Sequence, residues 1–280
     1  MSKCESNVDE LIVPELVEIP GTVSSRLAEY RDWHGDVQAD VSDLEACVSN
    51  LEIQGPSITA IDFANPCARY SEVSFELGTD VVHARLIEPA GRTRVSERVP
   101  LCLMFHDVDR PVRGWHHMTR FVAMGYAVLA LDDDVVGVGD LQRGIASPAF
   151  VERVRWGCAM AKAARELDGI DPDRLFAWGE GLGGGIALAV SALDEQGLAC
   201  AAIANPLPGG LEVLSARVRG SVLMGTSLMD TVSDPKGQFA VFNGLECDRR
   251  HIIYAKYAHE RINAFENEVV DFFNQTFYSC

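Results

Sequence analysis

The chain has 280 residues, 48% of them hydrophobic, and its 41 acidic against 24 basic side chains give a net charge of −17. That apolar fraction can fill a core and excludes intrinsic disorder, while the acidic balance argues against nucleic acid and anionic membrane as partners, since both need basic surface. Eight cysteines form no Cys-x-x-Cys pair, no apolar run approaches the ~18 residues of a membrane span, and Met1-Ser2-Lys3-Cys4-Glu5 lacks the apolar stretch of a signal peptide, so a cytoplasmic protein with reduced thiols, no metal and no cofactor is expected.

Residues 1–70 are the least regular part. Leu11-Ile12-Val13-Pro14 and Ile19-Pro20-Gly21 read as extended or turn segments, and Leu44, Ala46, Cys47 and Leu51 form a weak helical stripe. They are read as an N-terminal extension packed on a main domain of residues 71–280. Residues 71–88 predict a hairpin: Val73, Phe75 and Leu77 alternate with polar residues, Gly78-Thr79-Asp80 turns, and Val82, Ala84 and Leu86 alternate again. From residue 98 continuous apolar runs alternate with helical stretches. Strands are expected at 100–105, 126–131, 175–178, 199–204, 218–224 and 251–257, and helices at 115–123, 148–167, 184–195, 236–244 and 259–275. Apolar strands without alternation are buried on both faces, which predicts an α/β fold with a doubly wound, mostly parallel sheet.

The most informative segment runs from Asp171 to Leu188: a short strand, the turn Gly179-Glu180-Gly181-Leu182-Gly183, then a helix. Two motifs fit. Gly179, Gly181 and Gly184 satisfy the Gly-x-Gly-x-x-Gly dinucleotide fingerprint, with a pyrophosphate on the helix N-terminus. That pattern also needs an acid at the end of the next strand, and Ala204-Asn205-Pro206 has none. The second motif is the Gly-x-Ser-x-Gly nucleophile elbow of α/β-hydrolases, whose central residue is thrust above the sheet in a strained conformation. Here glycine, which does not feel that strain, stands at the centre. In such proteins an acid and then a histidine follow the nucleophile. Asp230 follows the run Val222–Gly225, and His259 follows Ile252–Tyr257. Each alone reads as a solvated loop acid or a helix-start histidine. Their order and their places after strands favour the triad frame.

These residues resemble the acetyl xylan esterase / cephalosporin C deacetylase family, carbohydrate esterase family seven. The resemblance covers roughly residues 70–275. It rests on Ile170-Asp171-Pro172-Asp173-Arg174 before the Gly-rich turn, on Gly225 to Asp230 with Pro235, Gln238-Phe239-Ala240 and Asn243, on Tyr257-Ala258-His259-Glu260, and on Phe105-His106, Trp115-His116 and Gly125–Ala130. It implies an α/β-hydrolase fold, acetyl esters of sugars or similar small acyl esters as substrates, and a tendency to form homo-oligomers. It places the family's acid on Asp230, its histidine on His259 and its serine on Gly181. The oxyanion hole, in the family formed by the backbone after the nucleophile and by a Gly-Tyr pair, falls on Leu182 and on Asp107-Val108. An Arg-Gly-Gln-Gly type turn is replaced by Asp132-Asp133-Asp134-Val135-Val136-Gly137, and the family's long insertion is reduced to Pro206–Gly210. Departures cluster at the pocket.

The sequence therefore predicts a family scaffold without ordinary serine-esterase chemistry, acting in binding or regulation. Two alternatives stay open: a hydrolase using Asp107 and His259 as general bases on water, and a nucleotide-binding protein built on the Gly-rich turn.

Overall fold

The computed structural model describes residues 40–90, 98–110 and 114–278, all within one compact unit, Val37–Cys280. The extended segments expected near residues 11–14 and 19–21 lie outside the described residues. The first described element is a helix, α1 (40–48), whose Val41, Leu44 and Val48 are buried. A nine-stranded sheet follows: β1 (Ile53–Ile61), β2 (Ala68–Leu77), β3 (Asp80–Pro89), β4 (Val99–Phe105), β5 (Ala127–Asp132), β6 (Ile170–Glu180), β7 (Cys200–Ala204), β8 (Ser221–Ser227) and β9 (Arg249–Tyr254). Its order is β1-β2-β3-β5-β4-β6-β7-β8-β9. The first three strands and the β3–β5 pair are antiparallel, and β4 to β9 are parallel.

The helices are α2 (Trp115–Ala123), α3 (Pro148–Glu166), α4 (Leu182–Leu193), the single turn α5 (Glu212–Ser215), α6 (Pro235–Gly244) and α7 (Asn263–Tyr278). Strand side chains point alternately to the two faces, so each central strand feeds two cores. Leu101, Leu103 and Phe105 of β4 pack with α1, α3 and α4. Cys102 and Met104 of the same strand pack with Phe121 of α2 and Phe265, Val269 and Phe273 of α7. That double burial explains the apolar runs without alternation.

Two expectations need adjustment. β1 lies inside the segment read as an extension and is hydrogen-bonded to β2. It has no usable period: most of it is exposed, and Gly55-Pro56 interrupt it where the register shifts. The helix expected from residue 259 begins at Asn263. The chain before it runs beside the loop after β8 instead, where the Met229 N–H donates to the Tyr257 carbonyl at 3.0 Å.

After β4 the chain crosses to β5 on one side, and β6 lies on the other, so the strand order reverses between β4 and β6. Clefts outside the carboxyl ends of parallel strands at such a switch point are where open α/β sheets bind ligands.

Candidate active site

Five loops meet at the carboxyl edge of the parallel strands. Gly181 sits between β6 and α4 at φ +55°, ψ −124°. Its N–H donates to the Ala204 carbonyl, and its own carbonyl accepts from Leu207 N–H, each at 2.9 Å. A side chain at this position would be strained by the backbone and would also collide: a Cβ on residue 181 would lie 1.7 Å from Asp107 Oδ1 and 2.3 Å from its Cγ. The Asp107 carboxylate therefore occupies the space into which residue 181 projects.

Asp107 is brought there because Phe105 of β4 pairs with Gly179 of β6. Its Oδ1 accepts the Val108 N–H at 2.8 Å and the Leu182 N–H at 3.0 Å. Two backbone donors from different loops thus converge on one anionic oxygen, and one of them is the first N–H of α4, where a negative charge is favoured. Its Oδ2 lies 3.2 Å from His259 Nε2, at ion-pair distance but off the line of a hydrogen bond, so the Nε2 N–H is buried and unspent. His259 Nδ1 lies 2.7 Å from Asp230 Oδ2. Asp230 is held in turn by the N–H groups of Val232 and Ser233, both donating to its Oδ1 at 2.8 Å.

The expected residues Gly181, Leu182, Val108, Asp230 and His259 are therefore brought to one place, with Asp107 at their centre. Burial by itself pushes the His259 imidazole down, but the Asp107 and Asp230 carboxylates on its two nitrogens outweigh that and raise it to about 10. Burial likewise pushes Asp107 up, but His259 and the two N–H donors prevail and hold its carboxyl below the usual range. At neutral pH the centre is a carboxylate–imidazolium–carboxylate row. A carboxylate so stabilised is a weak base, which removes the physical ground for Asp107 as a general base on water.

Behind this row stands a second charge cluster. The buried His106 ring places Nδ1 3.0 Å from the Asp107 carbonyl and Nε2 against Asp133 Oδ1. Arg153 of α3 places Nε 2.6 Å from Asp133 Oδ2 as an ion pair and donates from Nη2 to the Asp134 carbonyl at 3.1 Å. This ties the loop after β4 to the loop after β5. Asp133 stands in the acidic run already singled out, but the sequence offered no sign that Arg153, one polar position in a long helix, is its partner.

The glycines of the turn are accounted for by the protein's own backbone. A Cβ on Gly179 would lie 2.1 Å from the Gly183 carbonyl oxygen, and one on Gly183 would lie 2.5 Å from that of Phe105. With the first N–H of α4 committed to Asp107, the dinucleotide reading loses both its reason for glycine and its phosphate site.

Sheet, turn and loop order define an α/β-hydrolase-type protein. The acetyl xylan esterase (AXE1) family model matches residues 42–207 and 211–276, and the chain belongs to that family. Solved structures with the same fold include acetyl xylan esterase 1 from Thermoanaerobacterium sp. JW/SL YS485, at a TM-score of 0.70 and 18% identity over 86% of this chain and 94% of that one. Another is the acetyl xylan esterase from Paenibacillus sp. R4, at a TM-score of 0.67 and 18% identity over 84% and 93%. A curated relative, the quorum-quenching protein AidA of Acinetobacter baumannii (strain MDR-ZJ06), is 30% identical over 161 residues, which are 51% of this chain. The match spans about half the length of that relative, 52%. Among the described residues no helix is long and apolar enough to cross a membrane.

Proposed function

We propose that this chain is an acetyl xylan esterase-type protein that has lost acyl transfer to a serine and whose site serves binding or regulation. The observation that carries this is the Asp107 carboxylate, which takes both N–H groups at Val108 and Leu182 and fills the space beside Gly181. Acyl transfer needs a nucleophile and an empty hole for the developing oxyanion. Here residue 181 has no side chain, and the hole already holds a negative charge. Loss of the nucleophile alone costs on the order of a million-fold in such triads.

The ligand class that follows from the family is a small acyl ester or acetylated sugar. The quorum-quenching role named for the A. baumannii relative fits binding as well, because sequestering a signal molecule removes it as hydrolysis does. The free thiols of Cys158 in the core, and of Cys47 and Cys67 at the surface, suit the reducing cytoplasm.

The test is turnover of p-nitrophenyl acetate and of acetylated xylose at high protein concentration, beside a His259→Ala variant. The expected outcome is the same rate for both proteins. Hydrolysis that depends on His259 would overturn the proposal.

A further inference from the structure

The row Gly181–Asp107–His259–Asp230 has a chemical property that loss of the serine does not explain. In an acyl-enzyme, an ester carbonyl oxygen sits between two N–H donors and the ester oxygen faces the histidine. Asp107 already has this arrangement: Oδ1 lies between the N–H groups of Val108 and Leu182, and Oδ2 lies 3.2 Å from His259 Nε2. An ester formed on Oδ2 would be placed as an ester these loops can hydrolyse. A carboxylate makes such an ester by attacking a saturated carbon that carries a leaving group. From this geometry we propose that Asp107 is a nucleophile toward epoxides, and that His259 and Asp230 complete their hydrolysis to diols. The inference rests on the reading that seryl acyl transfer is lost, because a serine side chain at 181 and the docked Asp107 cannot coexist.

The resting charges select an epoxide over other electrophiles. Opening the ring leaves an alkoxide that needs a proton, and the imidazolium of His259 holds one on an unspent Nε2 N–H. Asp107 Oδ2 attacks the ring carbon, a carbon–oxygen bond forms and the ring carbon–oxygen bond breaks. The departing oxygen takes the Nε2 proton. Asp107 is now a neutral ester and His259 a neutral imidazole. With one of its two anions gone, the imidazole is a competent base held by Asp230. It takes a proton from water, and the hydroxide adds to Cγ. The oxyanion rests on Oδ1 against the Val108 and Leu182 N–H groups. Collapse breaks the Cγ–Oδ2 bond, and the diol oxygen leaves with the proton from His259. The free acid returns its proton to His259, and the carboxylate–imidazolium pair is restored. The sum is epoxide plus water giving diol, with no other reactant.

Access and surroundings agree. The Asp107 and His259 side chains are 14% and 13% exposed, so the row is roofed but reaches the surface. Leu228 and Met229, just before Asp230, and Tyr257, just before His259, are exposed apolar side chains at 41%, 62% and 38%. Exposed apolar side chains on the two loops that carry Asp230 and His259 suit an epoxide bearing an alkyl or aryl group.

Styrene oxide, with protein in excess in oxygen-18 water, gives the test. The expected first-turnover diol carries no label, because its new oxygen is Asp107 Oδ2, and the label appears in the Asp107 peptide by mass spectrometry. Asp107→Asn, which keeps the size of the side chain, is expected to form no diol while melting as a folded protein. His259→Gln is expected to slow the reaction at least about 100-fold. Diol formation equal in the parent and Asp107→Asn, a first-turnover diol labelled from water, or adducts confined to the exposed thiols of Cys47 and Cys67 would each overturn the proposal. Acetyl-ester turnover, measured separately, reads the loss of seryl chemistry and leaves this result independent of it.

Discussion

Replacing Gly181 with serine is the most direct perturbation of the site, and the structure argues that it fails on its own. The new Cβ would lie 1.7 Å from Asp107 Oδ1 and 2.7 Å from Oδ2, so the carboxylate must leave. It would then lose two N–H bonds to a charged acceptor, worth roughly 1.5–3 kcal/mol each. A side chain held at φ +55° adds strain of roughly 1–3 kcal/mol. The sum, roughly 4–9 kcal/mol, is a large part of the stability of an ordinary domain. At roughly 2–4 °C per kcal/mol it corresponds to a melting point lower by roughly 8–36 °C. Asp107→Gly combined with Gly181→Ser removes the collision, while the two N–H bonds to the carboxylate are lost in both variants and the backbone strain remains. Thermal melting and p-nitrophenyl acetate turnover read both effects. The single variant is expected to melt low and stay inactive. The double variant is expected to melt below the parent as well, and to gain His259-dependent turnover, further raised by Val108→Tyr. A single variant melting within about 2 °C of the parent, or a double variant without His259-dependent turnover, would refute the reasoning.

Asp107→Asn leaves His259 with one anion instead of two, so its pKa is expected to fall from about 10 toward 6.5; a ring titration by NMR that stays near 10 would contradict the ion row. The same row sets a pH window for stability. The raised His259 contributes fully below 6.5 and is lost as pH climbs from 6.5 through about 10, whereas the lowered Asp107 contributes above 3.8 and is lost as pH falls through its depressed value. Melting points of the parent should therefore fall above pH 6.5 more steeply than those of His259→Gln; parallel curves would remove the effect. Asp133→Ala strands Arg153 and His106 as buried groups without their carboxylate, and breaking a buried pair costs roughly 3–5 kcal/mol, readable as a lower urea midpoint. A loss under about 1 kcal/mol would mean the cluster is solvated.

Much of this architecture is legible in the chain because burial writes periods into it. The hairpin of β2 and β3 alternates because one of its faces is buried, and the parallel strands β4 to β8 show apolar runs because they are buried on both faces, whereas the edge strand β9 is not. Asp230 and His259 could be found because strand ends precede them in a fixed order. β1 could not, since an exposed edge strand broken by Gly55 and Pro56 carries no period. The start of α7 was misplaced because the Met229–Tyr257 backbone bond, a contact between loops distant in sequence, keeps residues 257–260 out of the helix. The seat of Asp107 was beyond reach for a related reason. It depends on the β4–β6 register and on two N–H directions, and no local pattern encodes either.

That seat also bears on how the site came to be as it is. Removal of a serine from an otherwise unchanged elbow leaves the oxyanion hole as it was, two convergent N–H groups with no protein acceptor, and an imidazole facing a single anion. In this chain both N–H groups are taken by Asp107, the imidazole faces two carboxylates, and the space at residue 181 is filled. Glycine at 181 is required by aspartate at 107, as serine at 181 would require a smaller residue there. The two positions therefore behave as one exchange, in which a side chain on the turn gives way to a charged one from the neighbouring loop. Such a pairing has the character of a rebuilt site rather than an abandoned one: loss of the serine at residue 181 alone supplies no carboxylate to take the Val108 and Leu182 N–H groups.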